Sequence, residues 1–219
     1  MDSVTGFVLA GGKSSRMGQD KAFIQLAGRT LLAHALELAK SATGSVWIVG
    51  SKEKFAAFGQ VVEDIYPGHG PLAGIHSALT STHTELNLII AVDMPFLQAD
   101  FLSYLVAQAR IDTATTVVPE AGTGLQPLCA VYRRGFAKVA ERALVADKNK
   151  VERLVAEVET RVIKHDELER NGFSEEMFRN LNTELDCEEA RRKLSAASTR
   201  AQGSKIASSA RPTVIAGRE

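Results

Sequence analysis

The run Val4-Thr5-Gly6-Phe7-Val8-Leu9-Ala10 passes directly into Gly11-Gly12-Lys13-Ser14-Ser15-Arg16-Met17-Gly18-Gln19-Asp20-Lys21. A short apolar run that stops at glycine reads as a buried strand feeding a loop. Glycine carries no Cβ, so backbone N–H groups on such a loop can approach an anion closely. Lys13, Arg16 and Lys21 add three cations to the same loop. The combination points to nucleotide phosphates held at a strand end. Two common phosphate loops do not fit. With Gly12-Lys13-Ser14 as its end, the pattern Gly-x-x-x-x-Gly-Lys-Ser/Thr needs its first glycine at Phe7, one residue past Gly6. The dinucleotide fingerprint Gly-x-Gly-x-x-Gly also fails, because the glycines stand at 11, 12 and 18.

The rest of the chain sets this strand in a repeating pattern. Leu31, Leu32, Ala35, Leu38 and Ala39 recur at helical spacing and predict a helix over 29–40. Further strands are predicted at 46–49, 61–63, 88–92, 115–118, 128–132 and 161–164. Further helices are predicted at 71–80, 100–110, 135–146 and 149–157. Strand and helix alternate through at least the first 110 residues. That predicts an α/β fold, a single Rossmann-like domain whose mainly parallel sheet carries helices on both faces. Ligands of such sheets sit outside the carboxyl ends of the strands. The glycine loop and Asp93, which follows the apolar run Leu88–Val92, therefore face one crevice. Thr183 begins a last helix, with Asp186 three residues on as a weak form of capping box. From about Ser195 large apolar residues become scarce and periodicity stops, so the domain is read as 1–195 and residues 196–219 as a disordered tail.

Composition narrows the partners. The chain has 219 residues, 45% hydrophobic and 24% charged, with a formal net charge of zero. No large field for nucleic acid or anionic lipid is implied. No apolar run approaches the ~20 residues of a membrane helix. Met1-Asp2-Ser3 lacks the basic start of a secretory signal. Cys129 and Cys187 show no metal or redox spacing and read as reduced structural thiols of a cytoplasmic protein. His69, His76 and His83 recur every seven residues without a ligand set, and read as ordinary surface or helix histidines.

Two acids and an amide have readings of their own. Asp93, in Val92-Asp93-Met94-Pro95, is either an oxygen ligand for Mg²⁺ at the end of a buried strand or a helix N-cap. Asp64, before Pro67, reads by itself as a solvated loop acid. Asn182 reads by itself as the end of the segment before the last helix. Gln126-Pro127 precedes a strand in the half that would hold a second substrate.

Residues 9–21, with Leu9-Ala10-Gly11-Gly12, Ser14, Arg16-Met17-Gly18 and Asp20-Lys21, resemble the signature of the GT-A-like nucleotidyltransferases, most closely the molybdenum cofactor guanylyltransferases. Leu26-x-Gly28-x-x-Leu31-Leu32-x-His34, Gly70-Pro71-Leu72-Ala73-Gly74, Asp93-x-Pro95 and Asn182-Thr183 extend the likeness over roughly residues 5–195. The resemblance implies transfer of GMP from GTP to molybdenum–molybdopterin, with release of pyrophosphate and Mg²⁺ as cofactor. It implies that Leu9, Ala10, Gly11 and Gly12 embrace the nucleotide, with Asp64, Pro71, Leu72 and Gly74. It gives catalytic roles to Arg16 facing the β,γ-phosphates, to Lys21 approaching the α-phosphate, and to Asp93. Asp93 and Asn182 become the metal-side residues. GTP and molybdopterin are the implied small-molecule substrates, with molybdoenzymes or other cofactor-pathway proteins as partners. Arg29-Thr30 departs from the Lys-Pro frequent in the family, and Val92 from a Cys that some members carry. Three alternatives stay open: CTP as donor, a sugar or alditol phosphate as acceptor, or a non-catalytic nucleotide-binding module. The cations of the tail, Arg200, Lys205, Arg211 and Arg218, read as a solvated end or as a dock for an acidic partner.

Overall fold

Six consecutive buried residues, Val4–Leu9, form strand β1. A strand buried on both faces belongs inside a sheet with helices on each side. The computed structural model, which describes residues 3–11, 20–122 and 124–193, has this arrangement. A small hairpin follows, β2 (Gln25–Leu26) and β3 (Arg29–Thr30). Its turn places Ala27 and Gly28 at φ 48° and 80°. The chain then alternates through α1 (Leu31–Ala42), β4 (Ser45–Val49), α2 (Lys52–Phe55), β5 (Val61–Val62), α3 (Pro71–Ser81), β6 (Leu86–Ala91) and α4 (Ala99–Ile111). It continues with β7 (Thr116–Ala121), β8 (Gly124–Leu125), β9 (Cys129–Arg133), α5 (Phe136–Val145), α6 (Val151–Glu157), β10 (Thr160–Ile163) and α7 (His165–Arg170). A last helix, α8, is described over 184–193.

The strands lie in the order β10-β7-β9-β6-β1-β4-β5, with β8 paired to β7. β1 is parallel to both β4 and β6, and β5 and β10 are parallel to their neighbours. β9 alone on this path runs antiparallel, to β6 and to β7. It follows β7 after only the short β8 turn, and so brief a return can deliver only an antiparallel strand. The expected fold class therefore holds, with one reversed strand inside it.

Alternate residues of the central strands face opposite helical layers. Phe7, Leu9, Val49 and Ile89 pack with Leu72 and Ile75 of α3, Phe136 of α5 and Val155 of α6. Val4, Val8, Ile48, Leu88 and Ile90 pack with Leu32 of α1, Phe101 and Leu105 of α4, and Leu181. The helix predicted from residue 29 starts at Leu31 instead, because Arg29 and Thr30 pair in the hairpin. Thr30 then caps α1, its hydroxyl accepting from Ala33 N at 3.1 Å.

Cys129 and Cys187 are free and buried, and burial raises both thiols. His76 is a helix histidine, on α3, and a buried one: it is only 4% exposed, and burial lowers its pKa. No helix among the described residues is long and apolar enough to cross a membrane. The tail 196–219, with its four cations, lies outside the described residues.

Candidate active site

All parallel strands deliver their carboxyl ends to one edge of the sheet, which gathers Leu9, Val49, Val62 and Ala91. Beyond β1 the local hydrogen bonding corrects one expectation. Ala10 N and Gly11 N both donate to Val49 O, at 2.9 and 3.1 Å, and Leu9 O accepts from Val92 N at 3.1 Å. These two amides are spent on β4 and do not cradle an anion. The first glycine serves close approach, since a Cβ on Gly11 would stand 3.6 Å from Gly50 Cα. Gly12, Lys13 and Arg16 lie outside the described residues.

One wall of the crevice combines residues of α3, β1 and β4 with Asp64, which follows β5. A Cβ on Gly74 would lie 3.3 Å from Leu9 Cδ2, 3.4 Å from Val49 Cγ1 and 3.7 Å from Asp64 Oδ1. Glycine in α3 thus lets the helix close on both strands and on the acid behind β5. Asp64 Oδ1 is buried without a hydrogen-bond partner, and burial raises the carboxyl above its ordinary value. An unpartnered buried oxygen costs roughly 1–3 kcal/mol, a cost that a ligand donor removes. Gly70 caps α3 at φ 69°, a conformation open to glycine at little cost. Pro71 is exposed at the first helical position. Leu72 is 0% exposed, its side chain in the core, so only its backbone can meet a ligand.

The other wall is charged. Lys21 Nζ donates to Asp93 Oδ2 at 2.9 Å and to Asn182 Oδ1 at 3.0 Å. These three residues, predicted from separate motifs, meet at one point. Their supports are local. Lys21 opens a short 3-10 turn whose N-cap, Asp20, accepts from Ala22 N at 3.2 Å and from Lys54 Nζ at 2.8 Å. Asp93 O accepts from Leu181 N at 2.9 Å, which ties the segment before α8 to the end of β6. His34 Nε2 lies 3.0 Å from Pro95 O and joins α1 to the same turn. Sequence reasoning gave His34 no role beyond the family pattern, since its partner is 61 residues away.

Asp186 fixes Asn182. Its Oδ2 accepts from Asn182 N, Thr183 N and Thr183 Oγ1 at 3.0, 2.9 and 2.8 Å, while Asp186 N donates to Thr183 Oγ1 at 3.1 Å. The reciprocal bonds make a full capping box, and Arg179 adds a contact at 3.1 Å. Bonds from Thr183, then Asn182 and Arg179, hold the Asp186 carboxyl down at about 2. A carboxyl lowered by folding stabilises the protein above its unfolded value near 4, and that stability is lost as pH falls toward about 2. Asp186→Ala is expected to lower unfolding free energy by ~1 kcal/mol in urea titrations at pH 7, with the difference shrinking between pH 4 and pH 2.

An ammonium held by two oxygens marks where a cation is accepted. Asp93 and Asn182 offer hard oxygen donors, suited to a divalent ion that also takes water and phosphate oxygens. Among the described residues no group of three or more His, Cys, Asp or Glu could hold a metal. The donor set fits a metal shared with a phosphate ligand. Gln126 does not reach this point: its amide donates to Ala121 O and Gly124 O at 3.4 and 3.1 Å, closing the β7–β8 turn.

Comparison with known proteins finds relatives in both sequence and fold. The family model of the MobA-like NTP transferase domain matches residues 6–166. A probable molybdenum cofactor guanylyltransferase of Carboxydothermus hydrogenoformans is 34% identical over 86% of this chain and 95% of its own length. A molybdenum cofactor guanylyltransferase of Desulfosudis oleivorans is 34% identical over 87% of this chain and 95% of its own. The crystal structure of molybdopterin-guanine dinucleotide biosynthesis protein A from Archaeoglobus fulgidus superposes with a TM-score of 0.77 at 26% identity, covering 88% of this chain and 99% of that one.

Proposed function

The chain belongs to the MobA-like NTP transferase family, among the molybdenum cofactor guanylyltransferases, and from that premise we propose that it transfers GMP from GTP to molybdenum–molybdopterin, forming the guanine dinucleotide and pyrophosphate. The observation that carries this reading is the meeting of Lys21, Asp93 and Asn182 at the strand ends. An oxygen of the acceptor's phosphate monoester attacks the α-phosphorus of GTP. The bond from that phosphorus to the oxygen bridging the β-phosphorus breaks, and pyrophosphate leaves. A phosphomonoester has a second pKa near ~6, so at neutral pH the attacking group is already largely a dianion and needs no general base. What remains for the protein is positioning and charge neutralisation.

Lys21 supplies a cation for the α-phosphate and Arg16 one for the departing β,γ-phosphates. Asp93 and Asn182 would hold Mg²⁺, which when bound neutralises phosphate charge. The unpartnered Oδ1 of Asp64 accepts a donor from the nucleoside. Leu9, Ala10 and Gly11, then Gly12, Pro71, Leu72 and Gly74, shape the nucleotide pocket mainly through backbone. The two buried free thiols fit a cytoplasmic protein, one whose product passes to molybdoenzymes.

Pyrophosphate release with molybdenum–molybdopterin and Mg²⁺ tests this across GTP, CTP, ATP and UTP. GTP is expected to lead by at least about tenfold in kcat/KM, equivalent to ~1.4 kcal/mol. Preference for CTP or UTP would refute the guanylyl reading. Tight GTP binding with no pyrophosphate release would turn the site into a binding module.

A further inference from the structure

We infer that Lys21 is a placeholder cation: before nucleotide binds, its ammonium stands at the metal position between Asp93 and Asn182, and it yields that position only when a triphosphate takes it over. The inference rests on the function proposed above and adds an order of events to it. The ammonium lies 2.9 Å from Asp93 Oδ2 and 3.0 Å from Asn182 Oδ1. Those are the two oxygens assigned to the metal. A divalent ion bonded to the same carboxylate oxygen would sit within a few ångströms of the lysine charge. Like charges that close, with both side chains about one-fifth exposed, repel strongly because little solvent lies between them. Metal and ammonium therefore exclude one another at this point.

The lysine stem makes the exchange feasible. Four carbons with free rotation let a compact charge move while the backbone stays fixed. The Lys21 backbone is anchored by the 3-10 turn behind Asp20, and Asp20 is itself held by Lys54. A triphosphate entering past Gly11 brings several negative charges to the same edge and gives the ammonium a new partner. Asp93 then loses its cation at the moment the nucleotide's own metal arrives. Linkage makes the effect reciprocal: nucleotide raises metal affinity, and metal alone binds poorly because it must first displace Lys21. The free protein thus resists loading by stray divalent ions and accepts the metal together with its substrate.

Mn²⁺ binding to the full chain without nucleotide, followed by electron paramagnetic resonance, tests this directly. Lys21→Met is expected to bind one Mn²⁺ at least about tenfold more tightly than wild type. The double variant Lys21→Met/Asp93→Asn is expected to lose that gain, and Lys21→Arg to behave as wild type. Equal affinity in wild type and Lys21→Met overturns the inference, as does a gain that survives Asp93→Asn. Circular dichroism melts establish that each variant is folded, and Lys21→Gln replaces Lys21→Met if the latter is not. An enzyme active on GTP with no Mn²⁺ difference sinks the placeholder alone. A wild-type protein that releases no pyrophosphate sinks the functional reading and leaves the Mn²⁺ comparison standing.

Discussion

Asp93→Asn is expected to lower kcat by about a hundredfold to a thousandfold at saturating GTP, with little change in melting temperature. The substitution keeps the size of the side chain and removes its charge. The neighbouring framework survives, since the bond from Leu181 N goes to the Asp93 backbone carbonyl and not to the side chain. Catalysis does not survive, because a neutral amide holds a divalent ion poorly beside anionic phosphates. Removing one preorganised charge-stabilising group from such sites costs roughly 10²–10³ in rate. Steady-state pyrophosphate release and thermal melts of the same preparation check both halves. A loss below about tenfold would remove Asp93 from the chemistry.

Lys21→Ala is expected to lower kcat by at least about a hundredfold, on the same scale of ~3 kcal/mol for a lost charge stabiliser. Its effect should fall on kcat more than on KM, since a cation at the α-phosphate acts most where charge shifts in the transition state. Single-turnover measurements isolate that step. Lys21→Arg should restore little turnover, because a planar, spread-out guanidinium does not reproduce a compact point charge at the α-phosphate. The two readouts then oppose one another: loss of the lysine charge opens Asp93 to free metal and removes turnover. A merely structural lysine would produce neither effect.

Much of the architecture was readable because buried parallel strands are written as unbroken apolar runs, as in Val4–Leu9 and Leu86–Ala91. Where the run shortened, the pattern failed. The β2–β3 hairpin has two residues per strand, and its turn uses a non-glycine residue, Ala27, at positive φ. Helix α7 buries only Leu168, too little to leave a period. The capping box at Thr183 was legible because its partners lie three residues apart.

The site divides along the same line. The residue types at 21 and 93 suggested phosphate and metal chemistry, and 182 entered only through the family resemblance, yet separations of 72 and 161 positions hid the meeting of the three at one point. The glycine loop shows the opposite failure. Its chemistry pointed to amides free for an anion, and the carbonyl of Val49, on a different strand, had already claimed those of Ala10 and Gly11.

The bond from Leu181 to Asp93 has a consequence for biosynthesis. Every described strand of the sheet precedes Leu181 in the chain, so a ribosome can release those strands before the Asn182 oxygen that meets Lys21 exists. On the function proposed above, competence arrives late in translation, with the segment that carries Asn182. Prematurely terminated products ending before that segment would retain those strands and lack both the Leu181 tie to Asp93 and the Asn182 oxygen at Lys21.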